Sequence, residues 1–319
     1  MTDSTHTYEL QALTDIWTGT AHVEQQFVRR SNRQELVDVI SADRLIPTGL
    51  LGSIRWWFEV LVRGLGGAPC DPSSNQKACL NEQHCVVCEL FGCTGWARKF
   101  RFDVRDAQGT IIRSKLSKNS KFGLRFTPLR AVKREEWALL ELTLRLISDF
   151  GALGGKTVLK PSRQNNKAQH ADFGLVKLMS APMATHTQQQ LASYVSTWAK
   201  KPTVNGAAWA SCSHMWFVDG KHLTRTSDSA SSFNKVLGRP EAKSSSSGGD
   251  SWRAGSRGVS KKVFSFKSPA RTFGFVQQTN EFDGLRDELR PLWNQPATNE
   301  WFVTGDALVG RLFPPGATP

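Results

Sequence analysis

Two long apolar stripes at helical spacing constrain this chain more than any other feature. The first follows Pro47. With Thr48 as N-cap, Leu50, Leu51, Ile54, Trp57, Phe58, Leu61 and Leu65 share one face, and Gly64, Gly66 and Gly67 end the run. The second fills residues 133–150, with Trp137, Leu140, Leu144 and Ile147 on one side. Such stripes need a partner surface. Residues 7–23 alternate loosely as an opening strand, residues 34–46 read as transitional, and residues 100–104 and 122–132 read as two strands between the helices. Residues 173–179 supply a further strand. Strand, helix, strand, strand, helix, strand is the ferredoxin-like βαββαβ order, so the fold class is α+β.

After Pro182 the pattern restarts more weakly. Residues 188–201 are helical, with Leu191, Tyr194, Val195 and Trp198 on one side, and residues 282–293 form a short helix. Strand-like runs occur at 216–218, 263–267, 272–277 and 301–303, consistent with a degenerate second copy of the unit. The expected division is therefore 1–182 and 183–319. A Ser/Gly-rich segment at 239–262 carries Lys243, Arg253, Arg257, Lys261 and Lys262, a composition suited to solvation or to draping over phosphates.

Charge narrows the partner. Forty-one Lys and Arg against 28 Asp and Glu give a formal charge of +13, which attracts polyanions, nucleic acid first among them. Eleven Trp against two Tyr add flat faces on which bases can stack. Residues 1–13 lack the apolar core of a secretion signal, and no stretch approaches the ~18 apolar residues of a membrane span. A cytoplasmic protein with no membrane partner is expected, and there clustered cysteines point to metal rather than disulfides.

The cluster is Cys70-x8-Cys79-x5-Cys85-x2-Cys88-x4-Cys93, with His84 beside it. Structural zinc needs four thiolate or imidazole ligands, and a CxxC knuckle supplies two from one tight turn. Cys70, Cys79, Cys85 and Cys88 form the expected set; His84 or Cys93 could replace a member. A closed four-ligand set is a folding element, not a catalyst.

Two further segments suit phosphate. Backbone N–H groups at the start of the first helix lack intrahelical partners and carry the positive end of its dipole. Thr48, Gly49, Gly52 and Arg55 lie there, and the glycines leave the approach clear. The loop after the second helix reads Gly151-Ala-Leu-Gly154-Gly155-Lys156-Thr157, followed by Lys160, Arg163 and Lys167. It is not a nucleotide-binding P-loop: position 150 is Phe where that motif needs Gly, and a helix precedes it. A basic loop cradling a polynucleotide backbone fits better. The histidines outside the cysteine cluster are scattered, and neither a serine elbow nor an HExxH motif occurs, so no catalytic residue is expected.

Together, the Pro-Thr-Gly-Leu-Leu-Gly-Ser-Ile-Arg-Trp-Trp helix start, the run from Cys85 through Glu89-Leu-Phe-Gly92 to Arg98, and the glycine-rich basic loop resemble the RAMP superfamily of CRISPR proteins. Within it they are most similar to the first-subunit family of the type III-B (Cmr) effector. The resemblance covers residues 44–180, with the Phe264-Ser-Phe-Lys-Ser-Pro269 stretch a weaker likeness. It implies two ferredoxin-like RAMP domains; the zinc-binding insertion at 68–95 in the first rests on the cysteine spacing, since such a cluster is not universal in the superfamily. It also implies assembly with other CRISPR effector subunits, including backbone RAMP subunits that carry out target cleavage. The place implied is near the 3′ end of the crRNA and the paired target RNA. By motif it implies that Thr48, Gly49, Gly52, Arg55, Arg98 and Lys99 line the RNA path, with Gly151, Gly154, Gly155, Lys156 and Lys160 in the loop. The family's loop is richer in arginine and more densely spaced in glycine, so Lys160, Arg163 and Lys167 depart from its pattern and rest on charge. Two other classes compete: a RAMP endoribonuclease that cuts precursor crRNA without metal, and a zinc-bearing DNA-binding protein.

Overall fold

A computed structural model describes residues 4–19, 22–30, 33–41, 44–71, 78–81, 83–159, 171–180, 186–198, 207–224, 231–238, 252–255 and 260–313. The first strand, β1 (His6–Ala12), leads into a hairpin of β2 (His22–Arg30) and β3 (Arg33–Ser41). That hairpin runs from the end of the loosely alternating stretch into residues 34–41, which read as transitional in the sequence. Helix α1 (Pro47–Gly64), the short α2 (Val86–Phe91), β4 (Phe100–Arg105), β5 (Lys121–Pro128) and α3 (Arg134–Phe150) follow. The two-residue strands β6 (Val158–Leu159) and β7 (Ala171–Asp172) pair with each other, and β8 (Val176–Ser180) completes this half.

β4, β5, β1 and β8 lie side by side in that order, all antiparallel. Counting only the strands of the repeating unit, the order is second, third, first, fourth, the arrangement of a βαββαβ sheet. Alternation explains its inner face. Tyr8, Leu10 and Ala12 of β1, Phe122, Leu124 and Phe126 of β5, and Phe100, Phe102 and Val104 of β4 are all buried.

The second half repeats this order. After α4 (Gln188–Ser196) come β9 (Met215–Asp219), α5 (Ser232–Val236), β10 (Val263–Lys267), β11 (Ala270–Phe275), α6 (Phe282–Leu289), β12 (Val303–Thr304) and α7 (Gly305–Leu312). The sheet order is β10, β11, β9, β12, again second, third, first, fourth and antiparallel throughout. The sequence misses α5 and α7, which are five and eight residues long and too short to show a clear period.

The halves share a core. Phe217, Phe273 and Phe275 of the second sheet join the apolar cluster of α1, α3 and the first sheet. Trp57 of α1 lies 5.9 Å from Phe273, and Phe150 of α3 lies 5.2 Å from Phe217, both between ring centroids. Arg271 of β11 donates to the Ser148 carbonyl of α3 at 3.0 Å. Helices α1 and α3 are thus held between two sheets, which is why α3 is buried from Trp137 to Phe150 on more than one face. On the far face of the second sheet, Trp216, Val218 and Val263 pack with Phe233 and Val236 of α5 and with Leu285 and Leu289 of α6.

Helix α1 begins earlier than its sequence suggests. Ile46, not Thr48, is the N-cap, and Pro47 takes the first turn, where its fixed φ and missing N–H cost nothing. The Ile46 N–H donates to Thr18 Oγ1 at 2.8 Å. At the other end Leu65 is the C-cap, Gly66 adopts a φ of +86°, and Gly64 packs against Cys212.

Candidate nucleic-acid groove and cysteine centre

The cysteine segment folds back beneath α1. Cys85 caps α2 and Cys88 lies in its first turn, so the CxxC spacing turns both thiols to one side. Cys70, Cys79, Cys85 and Cys88 are all buried, and their sulfurs lie within 4.8 Å of one another. Cys70 and Cys88 Sγ are 3.4 Å apart. The Cys85 N–H donates to Cys79 Sγ at 3.2 Å, and the Cys70 N–H to Cys85 Sγ at 3.5 Å. Four converging thiols with amides aimed at them suit a thiophilic ion. His84 stands apart: its Nδ1 pairs with the Asn81 carbonyl at 2.7 Å and its Nε2 with Glu89 at 2.5 Å. Cys93 is half-buried and outside the group of four.

Arg55 points into this centre. Its guanidinium meets Glu59 at 3.2 Å, donates to the Gly92 carbonyl at 2.7 Å, and donates to Cys88 Sγ at 3.2 Å. Burial pushes the Glu59 carboxyl upward, although Arg63 and Arg55 flank it and oppose that shift. Arg55 therefore ties the helix to the knuckle, which corrects its placement along an RNA path. The physical reason is that α2 folds against the very face of α1 that a helical wheel leaves polar.

Lys99 needs the same correction. It is 4% exposed, with Nζ 2.9 Å from Glu136 and 2.5 Å from Glu89. Tyr194 of α4 donates to the same Glu136 carboxylate at 3.1 Å, and burial first, then Glu136, pushes its phenol up. Lys99 thus joins α2, β4, α3 and α4 inside the fold. Arg98 beside it is half-buried.

The helix start and the glycine loop, far apart in sequence, meet. The Gly154 N–H donates to Ser53 Oγ at 3.0 Å, the Gly155 N–H to the Trp17 carbonyl at 2.8 Å, and Trp57 Nε1 to the Ala152 carbonyl at 2.8 Å. Their glycines divide by role. A Cβ on Gly49 would stand 2.1 Å from the Thr18 carbonyl oxygen, and one on Gly151 would stand 2.6 Å from the Trp57 ring. Gly154 combines a φ of +113° with a 2.4 Å approach to the Trp17 carbonyl oxygen. These three permit close packing. Gly52 and Gly155 are exposed, with open space where a side chain would be. Thr48 is exposed too, and Lys156 Nζ sits 5.0 Å above the Trp17 ring. Lys160, Arg163 and Lys167 lie outside the described residues.

Between these elements opens a cavity of about 370 Å³ whose lining includes Ser53 and Trp56 of α1, Gly155 and Lys156 of the loop, and Phe264 and Phe273 of the second sheet. Sequence reading misses Trp56 and Phe264 as site residues, because no local pattern shows that β10 comes to face α1. A second concavity of about 550 Å³, beside the start of α1, includes Arg44 and Arg113.

Fold and site together define a mixed α/β protein with two four-stranded antiparallel sheets and a groove built from a helix start, a glycine-rich loop and aromatic side chains. The RAMP superfamily model matches residues 9–159, a little under half of the chain. Among solved structures it is similar to Cmr1 from Pyrococcus furiosus in its apo form, at 12% identity, 98% coverage of each chain and a TM-score of 0.40. It is also similar to a chain of a type IV-B CRISPR complex, at 12% identity and a TM-score of 0.29, over 58% of this chain and 93% of the other. No curated protein matches the sequence. Among the described residues no helix is long and apolar enough to cross a membrane.

Proposed function

We propose that this chain is a non-catalytic RNA-binding subunit of a CRISPR effector complex, of the type III-B kind that its motifs resemble. It would comprise two ferredoxin-like RAMP domains and bind crRNA and paired target RNA alongside other effector subunits. The observation that carries the reading is the meeting of α1 and the glycine loop at Ser53 and Gly154, which gathers Ser53, Gly155 and Lys156 around one open cavity. A formal charge of +13 supplies the attraction that such a cavity needs. The match of the RAMP superfamily model to residues 9–159 supports the same reading.

We assign structural zinc to Cys70, Cys79, Cys85 and Cys88. The all-thiol donor set, its burial and the N–H groups aimed at the sulfurs fit that ion. The ion would hold the 68–95 insertion against α1 and take no part in a reaction.

Binding of the purified chain to single-stranded RNA and to duplex DNA of equal length, titrated across salt, tests the function. RNA is expected to bind more tightly, with log K falling against log salt by about 0.7 per phosphate contacted. A preference for duplex DNA would sink the reading. So would site-specific cutting of labelled repeat RNA by the chain in EDTA, the behaviour of a metal-independent endoribonuclease.

A further inference from the structure

The cavity between α1, the glycine loop and the second sheet has a lining that phosphate binding does not use. Phosphate asks for N–H groups and cations, yet Trp56, Phe264 and Phe273 present rings to this space. Trp56 and Phe264 are half-buried: each packs against the core and also lines this space. Phe264 rests on Phe273 with ring centroids 5.0 Å apart, which fixes its position. The volume, about 370 Å³, is that of a site for a small ring system rather than for a packed helix.

Charge selects among flat ligands. Among the described residues the lining contains one cation, Lys156, and no carboxylate. That charge repels a cationic ligand and favours an anionic one. A ring joined to an anion satisfies both parts. Gly155 lets a polymer backbone come close, since a Cβ placed there meets nothing nearer than 4.0 Å.

We infer that this cavity takes one unpaired RNA base, held among Trp56, Phe264 and Phe273, with its phosphate beside Lys156. Single-stranded RNA is read in this way, by bases splayed onto aromatic side chains. The inference rests on the RNA-binding reading above and adds a base-holding pocket to a phosphate-binding wall.

Two fluorescein-labelled probes separate them: single-stranded oligo(A) RNA and an abasic ribose-phosphate strand of equal length. The native chain is expected to bind the abasic strand about tenfold more weakly. Phe264→Leu, which keeps apolar volume against Phe273, should bring oligo(A) down to the abasic level and leave the abasic affinity unchanged. Trp56→Leu should do the same, with thermal melting confirming that each variant is folded. Lys156→Ala should weaken both probes alike. Equal binding of both probes by the native chain overturns the pocket and leaves the RNA-binding reading standing. Discrimination that survives in Phe264→Leu and Trp56→Leu also overturns it, placing base contacts elsewhere. Binding of neither probe overturns the pocket and the RNA-binding reading together.

Discussion

Lys99 carries its charge into a place that holds almost no water, between Glu89 and a fully buried Glu136. Removing one partner of a buried pair strands the other. Lys99→Met is therefore expected to cost about 3 kcal/mol of stability, read by chemical denaturation. Adding Glu136→Gln to that variant should recover part of the loss, and additive losses would refute the pairing. Arg55 follows the same logic with sulfur as one partner. Arg55→Ala should lower the melting temperature and speed metal loss to a chelator, while leaving the salt slope of RNA binding unchanged; a shallower slope would return Arg55 to the RNA path. In sequence both residues are cations next to glycine-bearing motifs. Only the packing of α2 against α1 shows that they point inward.

At the scale of elements, the glycines of α1 are alike in sequence and opposite in setting. Gly49 touches the backbone of Thr18, so Gly49→Ala must push helix and loop apart, at an expected cost of about 1–3 kcal/mol in denaturation. Gly52 faces open space, and Gly52→Ala should instead stabilise the helix, by up to about 1 kcal/mol. If Gly52 admits an RNA backbone, the same variant binds single-stranded RNA more weakly although it melts later. Unchanged RNA affinity would make Gly52 a bystander. The main helices and most strands could be read from periodicity, because burial against a sheet imposes a period that propensity does not. The hairpin β2–β3 was hidden by its loose alternation, and the N-cap of α1 by the pull of Thr48, although proline geometry favours Ile46.

For the whole molecule, the centre of gravity is the pair of helices held between two sheets. The four-thiol cluster meets α1 through the Arg55 contact to Cys88 and lies within that shared core, so chelation of the proposed zinc should lower the melting temperature of the entire chain in a single transition. Elemental analysis of the native protein should find about one zinc per chain. Absence of bound metal would refute the assignment, and a melt unaffected by chelation would refute the coupling.

By itself the sequence determined the two helices, the βαββαβ order of the first half, the cysteine set and the basic character. Each is written locally, in period, spacing or count. Tertiary structure decided which cations face solvent, which glycines are packing devices, and that Trp56, Lys156 and Phe264 line one cavity. Those properties depend on contacts between α1, the loop after α3 and the second sheet, residues more than a hundred positions apart whose meeting no local pattern encodes.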